Sequence, residues 1–122
     1  MKIRIMGNGV RIRLSKSEVA VFAEEGFVEE KTEFGNGIFK YAVISTDNKT
    51  MSADFTNGSI IMYVPKHLLE VWAATNQVSI VYDLPVSNGK FLNLLLEKDF
   101  KCIDAMAAED QSDYFENPAK SC

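Results

Sequence analysis

Histidine and tryptophan each occur once in the 122 residues, cysteine twice and proline three times, and no arginine follows residue 13. These scarcities exclude a good deal. One histidine and two cysteines without metal-ligand spacing do not build a zinc site, and the chain has no phosphate loop, dinucleotide fingerprint or nucleophile elbow. The longest apolar run, about Ile60 to Val64, is too short for a signal-peptide core or a membrane span, so the sequence predicts an unanchored cytoplasmic protein. Cys102 and Cys122 lie 20 positions apart near the end, and without an export signal no structural disulfide is expected between them.

What is present is an ordinary core-forming composition, 47% hydrophobic and 25% charged. A chain of this length builds a single core that buries roughly two-thirds of its unfolded surface. Seventeen acids against 13 bases give a formal charge of −4 and a pI near 5.0, which repels phosphate and disfavours nucleic acid or an anionic membrane as partner.

Asn-Gly recurs at Asn8-Gly9, Asn36-Gly37, Asn57-Gly58 and Asn88-Gly89, a dipeptide that tolerates the positive φ of tight hairpin turns. Four such turns predict four hairpins. Between the first two, Ser15 to Gly26 opens on the capping box Ser15-x-x-Glu18 and closes on a glycine suited to a left-handed exit, which predicts a helix of about ten residues. Between the third and fourth, Pro65 to Asn76 predicts a second, with proline in its first turn and asparagine at its end.

Shifting the first segment by 50 positions superimposes Ser15 on Pro65, Val19 on Leu69, Phe22 on Trp72, Ala23 on Ala73, Gly26 on Asn76 and Val28 on Val78. The expectation is an α+β fold of two similar ββαββ halves, about residues 1–49 and 50–99. Its eight antiparallel strands fall near 2–6, 10–14, 27–34, 38–45, 50–55, 59–64, 78–83 and 91–98, forming a barrel-like or strongly curved sheet with two short helices. Phe22 and Trp72 are the expected core anchors of the helices. Residues 1–102 then form one domain, and 103–122 an acidic tail that packs on it or extends from it.

A two-residue turn at Asn8-Gly9 sets Ile5 across from Ile12, Ile3 across from Leu14 and Arg4 across from Arg13 at a close, non-hydrogen-bonded position. Isoleucine and leucine take one face. Lys2, Arg4, Arg11 and Arg13 take the other, including every arginine of the chain. Like charges opposed across strands destabilise by up to ~1 kcal/mol unless an anion lies between them. The corresponding face of the third hairpin carries Ser52, Asp54, Ile61 and Tyr63, so the stripe belongs to one half.

Asp104, Glu109, Asp110, Asp113 and Glu116 follow one another without an intervening base, together with the apolar anchors Met106, Tyr114 and Phe115. Such a segment matches an arginine-rich strand face, with Asp110 and Asp113 received by guanidinium forks and Tyr114 and Phe115 filling apolar notches. Three readings of the face follow. In the first, the tail or Glu29, Glu30 and Glu33 neutralise it; in the second it receives a protein partner or a second subunit; in the third it binds phosphate or nucleic acid, for which it lacks interleaved aromatics.

Candidate chemistry is sparse. His67 stands in the first turn of the second helix beside Lys66, where a surface role suffices, and a pairing with Cys102 has no supporting spacing. The adjacent carboxylates Glu29 and Glu30 point to opposite faces of a strand. The run Glu29-Glu30-Lys31 also falls short of the alternating Glu-x-Glu-x-Lys that opens triphosphate-tunnel enzymes, whose eight antiparallel strands form a basic tunnel; the fold resembles that arrangement but the metal-holding acids are missing, so the chemistry is not supported. No catalytic residue, metal or cofactor is expected.

The opening Lys2-Ile3-Arg4-Ile5, the run from Val10 to Val19, the stretch Leu96 to Cys102 and the tail Glu109 to Pro118 resemble a family of small uncharacterised bacterial proteins of about this length. The resemblance implies that basic opening and acidic tail travel together, and it supplies no activity. Related tails often carry proline where this chain has Glu116. The sequence therefore predicts a small cytoplasmic binding or accessory module rather than a catalyst, with a small enzyme or binder of an anionic metabolite, phosphorylated or carboxylated, as the alternative.

Overall fold

The computed structural model describes residues 1–100. Within them the chain forms β1 (Lys2–Ile5), β2 (Gly9–Leu14), α1 (Lys16–Glu25), β3 (Phe27–Phe34), β4 (Gly37–Thr46), β5 (Ser52–Thr56), β6 (Ser59–Pro65), α2 (Lys66–Ala74), β7 (Ser79–Pro85) and β8 (Phe91–Lys98). Ser15 starts α1 as its spacing predicts. Its hydroxyl accepts from the Glu18 backbone N–H, while the Glu18 carboxylate accepts from the Ser15 N–H at 2.9 Å. Gly26, at φ 76°, ends the helix in the left-handed region that a side chain would disfavour. In α2 Pro65 is the N-cap, and the exit runs through an extended Thr75 rather than a left-handed Asn76. The Thr75 hydroxyl donates to the Val71 carbonyl at 2.7 Å, satisfying an acceptor that the helix end leaves open.

The eight strands do not close into a barrel, and they are not all antiparallel. They form two four-stranded sheets, β1-β2-β8-β7 and β3-β4-β6-β5, in which β2 runs parallel to β8 and β4 parallel to β6. The helices explain why. Each carries the chain from one sheet to the other, α1 between β2 and β3 and α2 between β6 and β7, so the hairpins flanking a helix cannot be neighbours. The inner strand of each hairpin pairs instead with an inner strand from the other half of the chain.

The first hairpin also differs from its expected register. Ile3 pairs with Ile12, Arg4 with Arg11 and Lys2 with Arg13, because Gly7-Asn8 makes the turn and Gly9 already belongs to β2. Gly7 has φ 55°, so the shifted two-residue turn places the flexible residue at its first central position. Gly35-Asn36 likewise makes the turn between β3 and β4, whereas Asn57-Gly58 is the expected two-residue turn, with φ 52° and 73°. Asn88-Gly89 lies within a longer loop.

One core joins both sheets and both helices. Ile12 and Leu14 of β2, Val43 of β4, Met62 and Val64 of β6 and Leu96 of β8 are fully buried around Phe22 and Trp72, the expected anchors. The Trp72 indole N–H donates to the Val78 carbonyl at 3.0 Å, which allows the ring to be buried without an unpaired donor. Among the described residues no buried side-chain polar atom lacks a partner.

Trp72→Ala should cost about 3–5 kcal/mol in urea unfolding, from lost burial and the cavity left behind. A second expectation concerns Glu18. Burial alone would raise its carboxyl, but hydrogen bonds from the Met1 ammonium at 2.6 Å and from Ser15, with the ammonium's charge, outweigh that and hold it below its ordinary value. A depressed carboxyl stabilises above its unfolded value, near pH 4.3, and the contribution is lost as pH falls through the folded value. The Tm difference between wild type and Glu18→Gln should therefore be largest near neutrality and vanish in acid.

Candidate functional site

Alternation along β1 and β2 sends Ile3, Val10, Ile12 and Leu14 toward the core, and Lys2, Arg4, Arg11 and Arg13 to the opposite face of the β1-β2-β8-β7 sheet. The four predicted cations are thus brought together, on one outer face. Their neighbours come from the parallel strand: Arg13 is in register with Glu97, and Arg11 with Leu95. On β7, Ser79 and Val81 continue these two rows.

Among the described residues the acids that meet the cations are Glu97 and Asp99 and not Glu29, Glu30 or Glu33. The Arg13 Nε donates to Glu97 Oε1 at 2.5 Å, and the Arg11 Nε lies 3.9 Å from the same oxygen. Lys2 Nζ is 2.8 Å from the Asp99 carboxylate, and that hydrogen bond holds the Asp99 carboxyl below its ordinary value against a smaller opposing effect of burial. Glu29, Glu30 and Glu33 stand on β3 in the other sheet. The charge of Glu30 acts there on Tyr41, whose hydroxyl is pushed up by burial first, then by Glu30 and Glu18.

Neutralisation is uneven. The Met6 N–H donates to the Gly9 carbonyl, and counting back from that pair makes Arg4 and Arg11 a hydrogen-bonded pair, their Cα atoms about 5.5 Å apart, instead of the closer type expected for Arg4 and Arg13. Among the described residues Arg4 forms no ion pair, and Arg11 has the long contact to Glu97. The row beyond them is apolar, a half-buried Leu95 and then Val81 at 63% exposure. Two guanidinium groups beside an apolar strip can hold a carboxylate and bury a neighbouring aromatic ring.

His67 is exposed on α2, and among the described residues no group of three metal-ligating side chains occurs. Cys102 and the tail residues Asp110, Asp113, Tyr114 and Phe115 lie outside the described residues. No sequence pattern points to a second concave feature, a groove of about 530 Å³ between α1 and α2. Leu14, Val19, Ala20, Ala23, Ala73 and Phe100 line it. Lys16, Lys98 and Asp99 edge it, and of these Lys98 already donates to the Thr75 carbonyl at 2.7 Å while standing over the Trp72 ring.

No described helix is long and apolar enough to cross a membrane. No curated protein matches the chain, and no solved structure does. A family model does match, over residues 1–119, so the paired arginines, the groove and all but the last residues of the acidic segment fall within one shared sequence unit. The chain belongs to that family, the family of unknown function DUF7009.

Proposed function

We propose that the chain is a small cytoplasmic binding module whose docking face is the outer surface of the β1-β2-β8-β7 sheet, and that its partner is an acidic protein segment carrying an aromatic residue. The observation behind this reading is the division of labour among the four cations. Lys2 and Arg13 have their own acids, Asp99 and Glu97, whereas Arg4 and Arg11 stand side by side with exposed Val81 and half-buried Leu95 next to them. Opposed like charges across a strand pair are costly unless a counter-charge arrives. A carboxylate relieves that cost, and an adjacent ring covers the apolar row. The chain's own Asp110, Asp113, Tyr114 and Phe115 have this chemistry and serve as the pattern for the partner.

The mapping of strand order β1-β2-β8-β7 onto β5-β6-β4-β3 by a shift of four strands, with Val19 and Phe22 buried as Leu69 and Trp72 are, supports two pseudo-repeats, about residues 1–49 and 50–99. The arginine pair has no counterpart in the second repeat, where Asp54 faces Ile61. A docking function added to one half of a duplicated scaffold fits that asymmetry.

A fluorescent peptide of residues 109–116 titrated into the full chain tests the reading. Saturable binding that weakens with salt is expected, and Arg4→Glu with Arg11→Glu should reduce affinity by at least about tenfold, or 1.4 kcal/mol. Lys31→Glu with Lys40→Glu, a matched like-charge pair on the other sheet, should leave it unchanged. Equal loss in both variants, or competition by millimolar phosphate as strong as by unlabelled peptide, would remove the case for a protein segment.

A further inference from the structure

We propose that the groove between α1 and α2 is the seat of the chain's own segment 102–108, with Ile103 and Met106 filling it. This placement is independent of the arginine-face reading. It rests first on the groove, whose floor is apolar, built largely from small side chains, and whose volume of about 530 Å³ lies within the ligand-pocket range of about 300–1,000 Å³.

The position of the chain's exit identifies the occupant. The Asp99 N–H donates to the Leu14 carbonyl at 2.9 Å and its carboxylate holds Lys2 at 2.8 Å, so residue 99 is fastened on both sides, and Phe100 lines the groove itself. The 22 residues from 101 to 122 therefore begin at the groove. Met106 is six positions beyond Phe100, a reach of at most about 20 Å in extended chain. A tether this short gives an effective concentration in the millimolar range, which makes a weak apolar contact sufficient.

The segment's composition fits the floor. Residues 102–108 read Cys-Ile-Asp-Ala-Met-Ala-Ala, with Ile103, Met106 and Ala107 at the spacing of one helical face. Alanines on both partners, Ala20, Ala23 and Ala73 below and those of the segment above, permit close backbone approach. The single charge within the segment is Asp104, and Lys16 stands exposed at the rim with no ion pair among the described residues. The family match continues through residue 119, so segment and groove belong to the same unit.

Hydrogen exchange of the full chain, read by mass spectrometry, tests this. Amides of residues 102–108 should exchange at least about tenfold more slowly than an unstructured peptide, independently of protein concentration. Ala23→Trp, which fills the groove from an exposed helix position, should abolish that protection while the unfolding midpoint of the domain is retained. Ile103→Asp with Met106→Asp should abolish it too, and supplies the same test if the tryptophan disturbs the helix. Free exchange of 102–108 in the wild type, or protection untouched by both variants, overturns the proposal. Protection that rises with protein concentration assigns the groove to a second copy, and a co-purified apolar compound seen by native mass spectrometry assigns it to a small ligand; either also overturns it.

Discussion

The parallel pairing of β2 with β8 joins residues 84 positions apart, as in Arg13 and Glu97, and three other features depend on it. It makes the β1-β2-β8-β7 sheet a product of both ends of the chain, as β4 beside β6 joins the two halves in the other sheet, so neither half contains a complete sheet and the core closes when the two halves meet. It sets Glu97 beside Arg13 and Leu95 beside Arg11, which determines which cations are neutralised. It also brings Asp99 to the end of β2, where the backbone bond to Leu14 directs the chain toward the helices. Contacts this remote in sequence carry a loop-closure cost before they reward it, and the outer face of this sheet requires both of its hairpins to be in place.

What the sequence discloses follows from the range of each interaction. The Ser15 capping box, the Gly26 exit, the Asn57-Gly58 turn and the burial of Phe22 and Trp72 are decided within a few residues or by bulk hydrophobicity, and all are legible in the sequence alone. The first hairpin is legible in its faces but not its register, because Gly7-Asn8-Gly9 offers two adjacent turns. A slip of two residues between pairing partners keeps every side chain on its face, which is why the basic stripe persists while the partner of Arg4 is Arg11 instead of Arg13. The parallel neighbours are illegible. No local pattern states that β2 lies beside β8, so nothing marks Glu97 and Asp99 as partners of the cations, and the acids of β3, close in sequence, are the natural candidates.

The two surface features meet at one point of the chain. Lys2 and Arg13 mark the end of the arginine face nearest the helices, and Asp99, paired with Lys2, is followed directly by Phe100 at the groove. Among the described residues Lys2 and Arg13 have close carboxylates at this end, Arg11 has only the long contact to Glu97 and Arg4 has none, so neutralisation weakens along the face toward Arg4. On the proposed reading an acidic segment approaching the sheet would meet its strongest attraction beside Arg4, away from Asp99 and Phe100. The two proposals thereby give another molecule and the chain's own continuation separate sites.

The edges of the sheets bear on how a partner would make contact. Among the described residues each sheet ends on two edge strands, β1 and β7 in one, β3 and β5 in the other. An unpaired edge invites strand addition unless it is short, charged or interrupted by proline. β1 is four residues long with Lys2 and Arg4; β3 bears Glu29, Glu30, Lys31 and Glu33; β5 has five residues with Asp54; and β7 carries Asp83 and ends on Pro85. Every edge is thus guarded by charge, brevity or proline. Recognition through backbone pairing is disfavoured, which agrees with the proposal that a protein partner would meet the sheet face, where side chains rather than main-chain groups supply the contact. On that face Arg4, with no ion pair among the described residues, has the most to gain from an incoming anion, since the residue paired with it across the strands is Arg11.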